Sequence, residues 1–222
     1  MGHRYKTHIN AMLLGLFSGF PDHRFPETIA KRLKEALSIR NSLVFVSAWP
    51  VDSKRNDEDS AGMYAMFLEY GIEFDSFCVI DNRTDKSSAL QLIENASCIF
   101  LMGGNATQQY ELICSKGIRD AIRQSSAVIL GVSAGSTNMA ERALDVWESD
   151  IPYEGLGLTD ITVKAHVNRI DDELIQELAR ISSDQNIQIH AMADESAVFI
   201  DKDCCEFIGT IRLVKNGQIC SL

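Results

Sequence analysis

The stretch Ala127-Val128-Ile129-Leu130-Gly131-Val132-Ser133-Ala134-Gly135 places a Gly-x-Ser-x-Gly pentapeptide at the end of a short apolar run. A helix-compatible segment, residues 137–146, follows it. A strand that ends at Gly-x-Ser-x-Gly and continues into a helix is the pattern of a nucleophile elbow. The serine then occupies a cramped turn, so its neighbours two positions away must lack a Cβ. A glycine-rich turn with an incidental serine gives the same five letters, and the flanking strand and helix favour the nucleophile.

Apolar runs of strand length alternate with segments of helical period on both sides of this turn. Such alternation predicts right-handed βαβ crossovers and a mostly parallel sheet with helices on both faces, a three-layer αβα fold. Near the C-terminus, Asn216-Gly217 between two apolar runs predicts a hairpin and hence additional antiparallel strands. We expect one domain over residues 1–222. The predicted strands are 9–17, 42–48, 74–80, 98–102, 127–130, 156–163, 187–193, 197–200, 210–214 and 218–220, and the predicted helices are 26–37, 57–70, 84–95, 107–124 (one or two), 137–146 and 171–181.

Composition restricts the class of protein. The 222 residues carry a net charge of −10, which argues against binding to nucleic acid or to an anionic membrane. The six cysteines form no C-x-x-C pair, so we interpret them as reduced thiols of a cytoplasmic protein. We see no signal peptide and no apolar run of the ~20 residues that a membrane helix needs.

A serine nucleophile needs a base within hydrogen-bond reach, and the chain has five histidines. His3, His8 and His23 lie near the N-terminus. His190 shares a face with Gln188 in an alternating run, which predicts a solvent-facing strand residue. His166 instead follows a predicted strand in a loop, where functional residues concentrate, and it is the predicted base.

An oxyanion hole and an orienting acid would complete the site. Gly103 and Gly104 end the fourth predicted strand, so an N–H there can join that of Ala134 in holding an oxyanion. The adjacent pair Asp194-Glu195 precedes another strand and can supply a carboxylate to the imidazole. The residues alone do not choose between these two and the other candidates, which are Asp145, Glu148, Asp150 and Asp160.

Four segments together resemble peptidase family S51, which includes aspartyl dipeptidase (peptidase E) and cyanophycinase. They are Met102-Gly103-Gly104-Asn105, Gly131 to Ser136, Ala165-His166-Val167-Asn168-Arg169, and Asp194-Glu195-Ser196-Ala197, in the family's order. The resemblance implies a fold like that of class I glutamine amidotransferases, which is flavodoxin-like. It also implies a Ser133–His166–Glu195 triad and an oxyanion hole from the N–H groups of Gly104 and Ala134. Gly103, Asn105 and Arg169 are the candidate substrate-binding residues, with Arg169 a candidate partner for an acidic substrate residue.

The expected function is therefore hydrolysis of small peptides by a serine peptidase, a dipeptidase or N-terminal exopeptidase, through an acyl-enzyme. We expect a small-peptide substrate, no metal, no organic cofactor, and no nucleic-acid or membrane partner, with a homodimer as the candidate assembly. Two alternatives remain open. One is an esterase of the α/β-hydrolase type that uses Ser133, Asp160 and His190. The other is a non-enzymatic binding module on a glutamine-amidotransferase-like fold.

Overall fold

The computed structural model describes residues 13–168, 172–202 and 204–221. The predicted strand residues 9–12 and the predicted helix residue 171 lie outside this part of the chain. In chain order the elements are β1 (Leu13–Phe17), α1 (Glu27–Ala36), β2 (Leu43–Val46), α2 (Ser53–Glu69), β3 (Phe77–Ile80), α3 (Lys86–Glu94), β4 (Cys98–Leu101), α4 (Ala106–Lys116), α5 (Arg119–Gln124), β5 (Val128–Val132), α6 (Ala134–Met139), β6 (Arg142–Ala143), β7 (Tyr153–Glu154), β8 (Thr162–Lys164), α7 (Asp172–Asp184), β9 (Ile189–Met192), β10 (Ala197–Asp201), β11 (Cys204–Ile208), β12 (Ile211–Lys215) and β13 (Gln218–Ser221).

The larger sheet has seven strands in the order β11-β10-β1-β5-β4-β2-β3. The five strands from β1 to β3 in this order are parallel to one another, and β10 and β11 are antiparallel to their neighbours. Strands β1, β2, β4 and β5 are buried along their whole length because core clusters cover both faces of the sheet. The predicted α/β architecture with a mostly parallel central sheet is confirmed.

A second sheet has four strands in the order β13-β12-β9-β8. Its C-terminal hairpin turns at Asn216 and Gly217, whose φ values are 51° and 74°, as a type I′ turn requires. The predicted extra C-terminal strands are therefore present. The chain passes from this sheet to the larger one between β9 and β10.

Several predicted boundaries are wrong, and tertiary pairing explains them. The helix after Ser133 begins at once and ends at Met139, because Ala140 turns to extended backbone (ψ 155°) and the chain then forms β6, which pairs with β7. The strand predicted at 156–163 is confined to Thr162–Lys164, where the chain meets β9. Strand β11 was not predicted, since Cys204–Ile208 lacks a clear apolar alternation.

The parallel strands end together at one edge of the larger sheet. Ser18 and Gly19 follow β1, Met102 and Gly103 follow β4, and Ser133 follows β5. Because β1, β5 and β4 are neighbours, these turns converge at the place where ligand sites form in open α/β sheets.

Candidate active site

Ser133 occupies a strained turn between β5 and α6. Its φ of 50° and ψ of −111° lie outside the usual regions for a residue with a side chain. The turn holds because the Ser133 N–H donates to the Phe17 carbonyl at 2.9 Å. A Cβ on Gly131 would lie 2.7 Å from the Gly135 carbonyl carbon, and one on Gly135 would collide with the Leu101 carbonyl. The glycine spacing seen in the sequence therefore has a steric cause.

Ser136 fixes this turn to the neighbouring strand. Its buried Oγ accepts from the Phe17 N–H at 2.9 Å and lies 2.7 Å from the Gly131 carbonyl, to which it can donate. The hydroxyl thus connects the first turn of α6 with both β1 and β5. Ser133 is held against the sheet by the serine three residues later.

The imidazole of His166 faces Ser133. Its Nε2 lies 3.0 Å from the Ser133 Oγ, and its side chain is half-exposed. His166 has a φ of 60°, and its N–H donates to the Ser18 Oγ at 2.8 Å. Ser18, fully buried, itself donates to the Met192 carbonyl at 3.1 Å. Ser18 therefore joins the backbone of His166, in the loop after β8, to the end of β1, a contact that sequence reasoning missed.

The carboxylate that contacts His166 belongs to Asp194. Its Oδ1 lies 2.6 Å from His166 Nδ1, and three quarters of its side chain is buried. Glu195 is exposed; its φ of 62° turns the chain and its N–H donates to the Gly19 carbonyl at 2.8 Å. The resemblance-based placement of Glu195 against the imidazole is corrected to Asp194. The physical reason is that this turn directs the two neighbouring side chains differently.

Gly19 packs directly on the imidazole and the carboxylate. A Cβ there would lie 2.5 Å from His166 Cε1 and 2.7 Å from Asp194 Oδ1. Only a residue without a side chain leaves both groups in place. No sequence motif around Gly19 indicates that this position requires glycine.

The end of β4 lies on the other side of Ser133. A Cβ added to Gly103 would lie 3.6 Å from the Ser133 Cβ. The next residue, Gly104, has a φ of 140°, which favours glycine. Ala134 is the first residue of α6, so its N–H has no acceptor within its own helix. Asn105 caps α4, since its side chain accepts from the Gln108 N–H at 2.8 Å. Arg169 lies outside the described residues.

The sequence of residues 12–208 matches the model of peptidase family S51. The chain belongs to peptidase family S51. A crystal structure of a peptidase from an acI-B1 Actinobacterium is similar to this S51 chain, with a TM-score of 0.75 and 17% identity over 98% of this chain and 96% of that one. A candidate peptidase E protein from Listeria monocytogenes EGD-e has a TM-score of 0.66 and 18% identity over 92% and 98% of the two chains. No protein of curated function matches the sequence.

The S51 structure leaves His190 away from Ser133. His190 is 1% exposed in β9, lies 3.3 Å from the Thr162 carbonyl through Nδ1, and stacks on the Phe207 ring at 5.9 Å. Burial lowers the pKa of His190 to about 4. The prediction that this residue faces solvent is wrong, because β11 brings Phe207 over it. The esterase alternative needs His190 as base, and the imidazole that contacts Ser133 is that of His166.

A cleft of about 330 Å³ opens beside the S51 serine. Its lining includes Val132, which precedes Ser133, and Gly103, where an added Cβ would lie 3.6 Å from the Ser133 Cβ. Its walls come from the loop after β1, from α2 and from the end of β4. The remaining lining residues are Phe20, His23, Glu58, Asp59, Gly62, Met63, Met66 and Met102.

Two further observations cover the described residues 13–168, 172–202 and 204–221 alone. Within them, no group of three or more His, Cys, Asp or Glu side chains is arranged to hold a metal ion. Within them too, the helices are too short or too polar to cross a bilayer.

Proposed function

We propose that this S51 chain is a serine peptidase that cleaves small peptides through an acyl-enzyme, with Ser133 as nucleophile, His166 as base and Asp194 as orienting acid. The observation that carries the proposal is the continuous pair of hydrogen bonds from Ser133 Oγ to His166 Nε2 (3.0 Å) and from His166 Nδ1 to Asp194 Oδ1 (2.6 Å). A hydroxyl, an imidazole and a carboxylate in this order are the parts of a nucleophilic triad.

The chemistry follows from these contacts. Asp194 accepts from Nδ1–H, which leaves Nε2 free to accept the proton of Ser133 as its hydroxyl attacks the peptide carbonyl. The carbonyl oxygen becomes an oxyanion, which the N–H groups of Gly104 and Ala134 would stabilise. His166 then gives its proton to the leaving amine. Water attacks the resulting ester with the same proton transfers, so that serine and the free acid are restored.

The size of the site favours short substrates. A volume of about 330 Å³ is at the small end for ligand clefts and suits one amino-acid residue on the acyl side of the scissile bond. We therefore propose a dipeptidase or an N-terminal exopeptidase. We also propose that the protein works in the cytoplasm, where free thiols such as its six cysteines stay reduced.

The test is a digest of a dipeptide library by wild type and by Ser133→Ala, together with labelling by a fluorophosphonate probe. We expect wild type to cleave a subset of dipeptides and to be labelled, and Ser133→Ala to do neither. Ser115→Ala, which removes an exposed serine on α4, is the matched control and should behave as wild type. Equal cleavage by wild type and Ser133→Ala would refute the proposal, and a chain that neither cleaves nor labels would be the binding module.

A further inference from the structure

The cleft beside Ser133 has an apolar floor. Met66 and Met102 are 4% and 6% exposed, Val132 is 7% exposed, and Phe20 and Met63 are partly buried. Unbranched thioethers adapt to flexible aliphatic chains. The floor therefore suits a long hydrocarbon stem.

The charged groups at the rim are acidic. Glu58 and Asp59 lie on the first half of α2 and are both exposed. The described residues that line the cleft also include His23, but no lysine or arginine. Each acid has an (i, i+4) partner on α2, Lys54 at 3.7 Å from Glu58 and Arg55 at 3.3 Å from Asp59. Exposed pairs of this kind are weak, so a substrate cation can compete for the carboxylates.

The position of the base decides which part of the substrate enters this cleft. His166, on the loop after β8, must protonate the leaving amine, so the leaving group lies over the imidazole. The cleft is formed by the loop after β1, by α2 and by the ends of β4 and β5, and His166 is not among the described residues that line it. The residue that supplies the scissile carbonyl therefore directs its side chain into it.

We infer that this cleft selects a residue with an apolar stem and a cationic head, of the lysine or arginine type, and disfavours an acidic residue. The inference rests on the proposed function. It differs from the expectation of a cationic pocket for aspartate, for which Arg169 was the candidate. An aspartate here would place its carboxylate in an apolar cleft with two like charges at the rim, whereas a lysine stem would cover the methionines and bring its ammonium to the carboxylates.

The experiment compares Lys-Leu, norleucine-Leu and Asp-Leu as substrates, since norleucine keeps the lysine stem without the charge. We expect kcat/KM to fall in that order, with Asp-Leu at least ~10-fold below norleucine-Leu. Glu58→Gln combined with Asp59→Asn should lower the Lys-Leu to norleucine-Leu ratio by about five- to tenfold, as expected for loss of two exposed ion pairs. Glu35→Gln combined with Glu94→Gln removes the same charge from α1 and α3 and should leave the ratio unchanged.

Binding of the three dipeptides to Ser133→Ala, measured by calorimetry, tests the cleft without turnover. The same order of affinity and the same loss of the lysine preference in the rim variant are expected. Faster cleavage or tighter binding of Asp-Leu, or a rim variant that weakens all three dipeptides equally, would overturn the inference. The latter result would mean that the acids bind the α-amino group. Failure of the proposed function would instead appear as hydrolysis that survives Ser133→Ala.

Discussion

Replacement of Asp194 by asparagine tests which carboxylate serves the imidazole. In the wild-type chain Oδ1 accepts from His166 Nδ1–H at 2.6 Å, and Oδ2 lies 3.4 Å from the Asn168 amide nitrogen. An asparagine that keeps its oxygen toward Asn168 must turn its NH2 toward Nδ1. Nδ1 then becomes the acceptor and the imidazole proton moves to Nε2. With that proton on the atom that faces Ser133, His166 can no longer act as the base.

The expected loss in kcat is large and the expected loss in stability is small. Removing the carboxylate from a triad while its geometry stays intact lowers kcat about 10⁴-fold, or ~5.5 kcal/mol in the activation barrier. The amide remains hydrogen-bonded and the site is open to solvent on the side of the half-exposed imidazole. The free energy of unfolding should therefore change by no more than ~1 kcal/mol.

The assay is hydrolysis of the best dipeptide together with the rate of fluorophosphonate labelling, with urea unfolding as the check on folding. Glu195→Gln makes the same change in charge one residue along the chain, on an exposed side chain, and should stay within about threefold of wild type. The reasoning is refuted if Glu195→Gln is the more damaging of the two, or if Asp194→Asn keeps kcat within tenfold of wild type.

Three further predictions concern residues around the site and in the second sheet. Gly19→Ala should lower kcat about 10²-fold, because the methyl group displaces the imidazole and the carboxylate. A Gly19→Ala variant that reacts with the fluorophosphonate at the wild-type rate would contradict this. Ser18→Ala should cost about 1–3 kcal/mol in unfolding free energy and should also lower kcat, because the partly buried His166 N–H and the buried Met192 carbonyl lose the hydroxyl that both contact. An unchanged kcat with lower stability would leave Ser18 a structural role only. His190 has a folded-state pKa of about 4 against an ordinary value of 6.5, so the unfolded chain binds more protons and stability falls as pH falls from 7.5 to 5.5. That fall should be about 1.4 kcal/mol larger in wild type than in His190→Gln by urea unfolding, and equal slopes would refute it.

Local sterics made part of the site predictable from sequence. Gly131 and Gly135 are required by contacts within the turn itself and with the adjacent β4, so their spacing around Ser133 is visible in the sequence. The loop position of His166 after a strand is also a local property. The alternation of apolar runs with helical segments is a local property too, and it was sufficient to predict the parallel sheet.

The choice between Asp194 and Glu195 depends on tertiary structure. Both are acids that follow the same strand, β9. Which of them contacts the imidazole depends on the turn at Glu195, whose N–H donates to the carbonyl of Gly19, a residue far away in the sequence. The burial of His190 has a similar origin. Its alternating run predicts an exposed face, and that face is covered by Phe207 from β11, a strand with no clear periodicity.

The proposed nucleophile and base are attached to different sheets, Ser133 to the larger one and His166 to the four-stranded one, and Asp194 lies on the connection between them. An engineer who wished to transplant this reaction centre onto another scaffold would have to move both layers and the crossover that joins them. A graft of the Gly-x-Ser-x-Gly turn alone would carry a hydroxyl without its proton acceptor.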